Sequence, residues 1–326
     1  VIMRVAVVSA VYNEKQFVGR MIESVLSQSR LPDEVVLVDD GSTDATPSIV
    51  QSYTERFPIV RLIQNSNQGP AASRNVAWRA AKADVVIFTD GDCVPERDWI
   101  EKLVNRFGPP EVAAVAGTYR TLNTQNKLAR FVGHEIAWRY RDVPAQVDAH
   151  GAYNLAIRKD VLEELGGFDE SYKAPSGEDW DLTYRISRKY KILFAPDAVV
   201  AHAHPESFWS YMKNQVRRGF DRIKLYNDHP EKMKGDAYTG RLAKYQVLAA
   251  ACFPLTLWMF FCKGWCFVPA ALFLFLVGSG WSVFRFIYQR DPSAARYGVG
   301  VQFARNFAWA LGAVKGVLRF GIRRLW

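Results

Sequence analysis

The chain is poor in cysteine and has no internal repeat and no low-complexity tract. Its four cysteines are Cys93, Cys252, Cys262 and Cys266. Three lie in apolar stretches, where cysteine behaves as a small hydrophobe. Their spacing matches neither a zinc site nor a disulfide framework, so a reducing cytoplasm is the natural setting. No G-x-G-x-x-G follows the first strand, which disfavours a dinucleotide-binding domain. Acid is scarce near the C-terminal end: from Arg285 onward, Asp291 is the one acidic residue among many Arg and Lys. The net charge of +9 is therefore uneven. Such an excess beside apolar segments points to anionic lipid headgroups rather than to nucleic acid. Val1 to Ala10 reads as a strand and not as a signal peptide.

What is present fits a chain with a filled core. The 326 residues are 49% hydrophobic and 23% charged, enough for one large domain with an appendage or two small domains. The first half alternates strand and helix. Arg4–Ala10, Glu34–Val38, Val60–Gln64 and Val85–Thr89 are short apolar runs rich in β-branched residues, hence buried strands. Phe17, Met21, Ile22, Val25 and Leu26 have helical spacing within Glu14–Ser29. Thr46-Pro47 is a cap followed by proline, and Pro70–Ala83 reads as a further helix. This βαβα order predicts an α/β fold with a Rossmann-like, mostly parallel sheet and helices on both faces. In such sheets ligands bind beyond the carboxyl ends of the strands, where Ala10, Asp39, Asp40, Asp90 and Asp92 fall.

Further on, Glu178-Asp179-Trp180-Asp181 opens a helix reaching about Tyr190. Lys191–Ala203 reads as a strand ending near His202 and His204, and Trp209–Tyr226 as a basic amphipathic helix. The character changes near Tyr245. Val247–Cys262 and Trp265–Phe284 are uncharged runs of about 16 and 20 residues, separated by Lys263-Gly264. A bilayer core needs roughly 17–25 such residues per helix, so a membrane hairpin is expected. Pro254 weakens the first run; Trp258, Trp265 and Trp281 fall near possible interfaces. The competing reading is a buried helical pair. From Gly298 to Trp326, Gln302, Arg305, Lys315, Arg319 and Arg323 form one stripe, opposite Phe303, Phe307, Leu311, Val314, Leu318 and Ile322. That predicts a basic amphipathic helix lying at the membrane interface. The expected organisation is a catalytic domain over 1–226, a linker over 227–245 and a membrane-associated helical region over 246–326. The last holds the hairpin at about 247–284 and the amphipathic helix at about 298–326.

The turn Asp90-Gly91-Asp92 places two carboxylates around a glycine, so both can bend onto one hard cation. Taken alone this is weak, because acids are common in polar turns. Its company is specific. Ser9-Ala-Val-Tyr-Asn-Glu14, Val38-Asp-Asp-Gly-Ser-Thr-Asp44, Gly69-Pro-Ala-Ala-Ser-Arg-Asn75, Thr89-Asp-Gly-Asp92, Gly166-Gly-Phe-Asp-Glu170 and Gly177-Glu-Asp-Trp-Asp181 occur in that order. Over about residues 3–225 the set resembles the inverting family 2 glycosyltransferases of GT-A fold, in their membrane-associated bacterial or archaeal type.

The resemblance implies a metal-dependent transfer of sugar from a nucleotide-sugar, a UDP-sugar in the first instance, with Mn²⁺ or Mg²⁺ as cofactor. It assigns Ala10, Tyr12, Glu14, Asp39 and Asp40 to the nucleotide and Arg74 to the donor. Asp90 and Gly91 would touch the donor, and Asp90 and Asp92 the metal. Glu178 and Asp179 match the acidic pair on the acceptor side, Asp179 being the candidate base; the plainer reading is helix capping helped by Ser176. His202, with His204 as alternative, would complete the metal site. Gln215-Val-Arg-Arg-Gly219 resembles the Q-x-x-R-W signature of processive synthases, but glycine replaces tryptophan, which argues against processive synthesis. Arg217 or Arg218 would then contact a diphosphate or an anionic lipid. Together these features imply a membrane enzyme, its catalytic domain on the cytoplasmic side, acting on a lipid-linked glycan with no nucleic-acid partner. The alternatives are a polyprenyl-phosphate glycosyltransferase resembling dolichyl-phosphate mannose synthase, and a non-catalytic sugar-nucleotide-binding protein.

Overall fold

A computed structural model describes residues 3–236, 242–262 and 264–321. The chain packs as two compact units: Val1–Leu122 with Val143–Ala203, and Asn123–Asp142 with His204–Trp326.

The first unit opens with β1 (Val5–Val11), α1 (Val18–Leu26), β2 (Glu34–Asp39), α2 (Thr46–Thr54), β3 (Val60–Gln64), α3 (Pro70–Ala80) and β4 (Val85–Thr89). The apolar runs form strands because both faces are covered; β4 is buried at every position. The unit continues with β5 (Cys93–Pro95), α4 (Trp99–Val104) and β6 (Val112–Thr121). The helix α5 (Lys127–Tyr140) intervenes before β7 (Gln146–Val147), β8 (Asn154–Arg158), α6 (Lys159–Leu165), α7 (Glu178–Ser187) and β9 (Lys191–His202). Among the described residues the sheet runs β3-β2-β1-β4-β8-β6-β9-β5, with β7 on β9.

The expected mostly parallel sheet is instead mixed. β1 pairs parallel with β2 and β4, and β2 with β3, but β8 runs antiparallel to both β4 and β6. β5 and β7 are antiparallel to β9, while β6 and β9 are parallel. Parallel neighbours need a crossover connection across the sheet. β6 and β8 are antiparallel and need no crossover; α5, which lies between them in the chain, groups with the second unit.

The second unit also holds α8 (Phe208–Asp228), α9 (Leu242–Thr256), α10 (Phe267–Gly278), α11 (Trp281–Tyr288) and α12 (Pro292–Phe320). α8 therefore groups with the C-terminal helices, not with the domain that the sequence drew to residue 226. The reason is a close crossing of α8 and α12. A Cβ on Gly219 would lie 2.4 Å from the Trp309 carbonyl oxygen, and one on Gly316 2.7 Å from that of Phe220. Small residues let two helix backbones approach this closely.

Among the described residues two segments are long and apolar enough to cross a membrane, Leu242–Phe261 and Phe267–Tyr288. Pro254 lies within α9, and the segment ends in a 3₁₀ turn, Leu257–Phe261. These helices are not a buried core pair. Leu255 is 72% exposed, Phe261 92% and Leu274 68%. Trp258, Trp265 and Trp281 are also exposed. Apolar surface of this extent needs a covering partner.

α12 departs from the simple interfacial helix. Its polar stripe turns inward at Gln302 and Arg305, both buried. The Arg305 guanidinium pairs with Glu135 of α5, which supplies the charge that lets an arginine be buried. Leu311, Val314 and Leu318 are exposed, as are Lys315 and Arg319. Ile322 and Arg323 lie outside the described residues.

Candidate active site

The site grows from the C-terminal ends of β1, β2 and β4. After β1 the chain turns at Asn13, whose φ of 58° is in the left-handed region that asparagine tolerates. Its amide N–H donates to Ser42 Oγ at 2.9 Å, and its side-chain oxygen accepts from Thr43 N at 2.8 Å. The Tyr-Asn-Glu and Asp-Asp-Gly-Ser-Thr-Asp segments are thus one hydrogen-bonded rim. Asp44 accepts from the Thr46 N–H at the start of α2, which makes it a local cap.

The two aspartates at the end of β2 have different tasks. Asp40 is fully engaged: it accepts from Gln68 N, Gly69 N and Ser73 Oγ at 2.8, 2.9 and 2.8 Å. Asp39 accepts from Ser42 N through Oδ2, while its buried Oδ1 has no hydrogen-bond partner among the described residues. A buried acceptor left open calls for a partner such as water, an ion or a ligand. Asp39 is the one of the pair with an acceptor unfilled among the described residues. Tyr12, 46% exposed, sits beside it at the end of β1, and Ala10 is half-buried on that strand.

Arg74 organises the centre. It is buried on α3 and donates to Asp90 Oδ1 at 2.9 Å and to Glu178 Oε1 at 2.7 Å. Burial opposes its charge, but Asp90 and Glu178 outweigh that and hold it protonated, its pKa pushed up. The neighbouring Asn75 explains the distant Gly-Gly-Phe-Asp-Glu motif. Its amide donates to the Phe168 carbonyl and to Glu170, and its oxygen accepts from Phe168 N, each at 2.9 Å. Gly69 has φ 97°, and a Cβ there would lie 2.8 Å from the Lys173 carbonyl oxygen.

The Asp90-Gly91-Asp92 turn is closed by the Cys93 N–H to the Asp90 carbonyl at 3.1 Å. Gly91 is closely covered by Glu14 and Val11; a Cβ would lie 3.0 Å from Glu14 Cγ, and those side chains would have to give by a few tenths of an ångström to admit it. Glu14 is pushed up to about 8 by burial first and then by the charges of Asp92, Asp90 and Asp44. Asp92 is also raised, by burial first, with Asp90 adding and His202 opposing. His202 Nε2 is 3.4 Å from Asp92 Oδ2, and Asp92, Cys93 and His202 bring donor atoms within 4.8 Å of one another. A carboxylate and an imidazole at this distance fit a divalent cation, and Asp90 lies one residue away in the same turn.

On the acceptor side the acidic pair divides. Glu178 is consumed: Oε1 takes Arg74, and Oε2 accepts from Ser176 N and Gly177 N at 3.0 and 2.9 Å. Gly177 is the helix cap, with no side-chain cap from Ser176. Asp179 accepts from Trp180 N at 2.9 Å and at longer range, 3.4 Å, from Ala152 N. Burial, then the charge of Glu178, raises it to about 7, with Arg74 opposing. That is the range a general base needs near neutral pH.

His204 is buried, and its backbone N–H donates to Asn123 Oδ1; both belong to the second unit. Arg217, half-buried, and Arg218, exposed, also lie there, on α8. In the signature-like stretch, Gln215 accepts from Trp309 Nε1 at 2.9 Å, and Gly219 forms the α8–α12 crossing. Both are explained by helix packing. Cys93 was the residue the sequence did not single out; its proximity to His202 depends on strand pairing, which no local spacing reveals.

A mixed sheet with a strand-end acidic turn, a basic tether and a separate carboxyl defines a GT-A fold. The mannosyltransferase PcManGT from Pyrobaculum calidifontis, solved in complex with GDP-Man and Mn²⁺, superposes with a TM-score of 0.62 at 22% identity, covering 98% of this chain and 88% of that one. GalNAc-T7, solved with UDP, GalNAc and Mn²⁺, gives 0.54 at 20% identity over 74% of this chain and 53% of that one. Residues 6–165 match the family model described as Glycosyl transferase family 2, so the chain carries a domain of that family over this stretch. The pre-mycofactocin glycosyltransferase of Mycobacterium tuberculosis is 30% identical over 237 residues, 70% of this chain and 48% of its own length. The glycosyltransferase AglE of Haloferax volcanii is 28% identical over 228 residues, 68% of this chain and 74% of its own. The chain thus spans about half the length of the first relative.

Proposed function

We propose that the chain is an inverting, metal-dependent glycosyltransferase that moves a sugar from a nucleotide-sugar to a hydroxyl of a lipid-linked glycan. The observation that carries this reading is the division of labour among its acids. Glu178 and Asp40 are saturated by hydrogen bonds, whereas Asp39 Oδ1 has no partner among the described residues and Asp179 accepts only from Trp180 N and, at longer range, from Ala152 N. A protein that merely bound a nucleotide would have no use for a half-buried carboxyl at about 7.

In this reading Asp39 accepts from the base, and Tyr12 covers it. Asp92 and His202 hold the cation, with Asp90 beside them. A bound cation would neutralise charge on the departing nucleoside diphosphate. Asp179 takes the proton from the acceptor hydroxyl as its oxygen bonds to the anomeric carbon and the bond to the diphosphate breaks. Arg74 keeps the Asp90 turn and the Glu178-Asp179 helix start in register. The cation is Mn²⁺ or Mg²⁺, with Mn²⁺ favoured by the imidazole. A UDP-sugar is the first donor to test, with GDP- and dTDP-sugars next, since the structural neighbours were solved with GDP-Man or UDP, each with Mn²⁺. The exposed apolar helices support a membrane location and an acceptor presented at the bilayer, and the free cysteines support a cytoplasmic face.

The test uses purified full-length protein and a panel of nucleotide-sugars, read as metal-dependent donor hydrolysis and transfer. Asp179→Asn should lower turnover about 10²–10⁴-fold with donor affinity retained. In the parent, kcat/KM should fall as pH drops through about 7, because the base becomes protonated, and the variant should lose that limb. A collapse of donor affinity with unchanged turnover would remove Asp179 from this role.

A further inference from the structure

Antiparallel pairing of β5 with β9 sets Cys93 directly opposite His202. Directly opposed residues in such a pair project from the same face of the sheet. Asp92, one residue before the strand, turns its carboxylate onto that pair. Its Oδ2 lies 3.4 Å from His202 Nε2, and Cys93 Sγ lies 3.8 Å from its Oδ1. Bonds of about 2.0–2.3 Å around a tetrahedral cation put ligand atoms on edges of about 3.3–3.8 Å. Each separation, taken to a different oxygen of the Asp92 carboxylate, is of that length, and one donor atom from each of the three residues lies within 4.8 Å of the other two. Cys93 is fully buried, whereas the side chains of Asp92 and His202 are 25% and 22% exposed, so a cation can enter from their side.

We infer that Cys93 is a third protein ligand at this centre, giving it an oxygen, nitrogen and sulfur donor set that prefers a thiophilic divalent cation of the Zn²⁺ class over Mg²⁺. The inference rests on the reading of Asp92 and His202 as metal ligands. Hard Mg²⁺ gains little from sulfur, whereas Zn²⁺ and Co²⁺ bind thiolate well. Binding replaces the thiol proton with the metal, and the proton leaves to solvent. A cation so held uses ligands that the working cation needs, so ions of the Zn²⁺ class compete with it and inhibit.

The test is a Co²⁺ titration of the metal-free full-length protein, followed by the near-ultraviolet thiolate-to-cobalt charge-transfer band. The band should appear and saturate at one equivalent. Cys93→Ser should abolish it and weaken Co²⁺ binding by at least about tenfold, since even an outer-shell partner is worth that much. The combined Cys252→Ser, Cys262→Ser and Cys266→Ser variant should keep the band, and Asp92→Asn should lose Co²⁺ binding. If Co²⁺ binds without the band, or the band survives in Cys93→Ser, the sulfur ligand is overturned while the Asp92–His202 reading stands. If the parent binds no Co²⁺ and nucleotide affinity ignores added metal, both fall.

Discussion

In the sheet unit, Val35, Val36, Leu37 and Val38 are fully buried, and the same strand ends in Asp39 with an open acceptor. In the helical unit the order is reversed: Gln302, Arg305 and Asn306 are buried on α12, while Leu311, Val314 and Leu318 further along are exposed. The first pattern is that of a water-soluble domain with charge gathered at strand ends. The second leaves apolar side chains outside and buries polar ones within, Arg305 paired with Glu135, an order that suits an apolar surrounding better than water. The lesson is that one rule of burial does not serve both units. In the first, buried acids gather at strand ends and helix starts, as Asp39, Asp40 and Glu178 do; in the second, a buried ion pair such as Arg305–Glu135 ties helices together.

The contrast can be broken most severely at the metal turn. Asp92→Ala should lower turnover by about 10³-fold, comparable to losing a principal electrostatic stabiliser. It should also remove metal-dependent nucleotide affinity while thermal stability holds, measured by kinetics and melting on the same preparation. Unchanged turnover in Mn²⁺ would contradict the assignment.

Arg74→Ala is next, and it should act on the fold as well as the rate. Breaking a buried pair strands its partners, at about 3–5 kcal/mol. Denaturant unfolding of the sheet unit should register that loss, because Glu178 and Asp90 are left without their shared cation. A variant as stable as the parent would mean that the tether is idle.

The helical unit is tested by Gly219→Trp, which restores the residue of the Q-x-x-R-W signature. If the signature mattered here, activity would rise. The structure predicts instead a loss of stability of about 1–3 kcal/mol or more from overpacking, because the new side chain meets the Trp309 backbone.

The smallest effect concerns the membrane. The full-length chain should stay in the membrane fraction at high salt, held by the exposed faces of Leu242–Phe261 and Phe267–Tyr288. Lys315→Ala with Arg319→Ala should weaken binding to anionic vesicles by only about 1 kcal/mol per residue, and only at low salt. Release of the parent by salt alone would reverse the comparison between the units.

By itself the sequence determined the strands β1 to β4, the helix starts at Thr46 and Pro70, the apolar hairpin and the order of the six motifs. Each rests on local chemistry: β-branched runs bury, proline opens helices, and glycine permits tight turns. It also placed Asp39, Asp40, Asp90 and Asp92 at the strand ends, because strand direction carries them there. Only the tertiary structure decided how heavily each acid of a pair is engaged. Asp39 and Asp40 are adjacent, as are Glu178 and Asp179, and composition treats each pair alike. Backbone amides from Gln68 and Gly69 fill Asp40 while Asp39 Oδ1 keeps no partner among the described residues, and Ser176 and Gly177 fill Glu178 while Asp179 accepts from Trp180 N and, at longer range, Ala152 N. Pairing across strands made Cys93 a neighbour of His202, and helix crossing turned Gly219 from a missing tryptophan into a contact. Hydrogen-bond saturation, strand register and helix contact all depend on residues distant in the chain, so no local spacing could carry them.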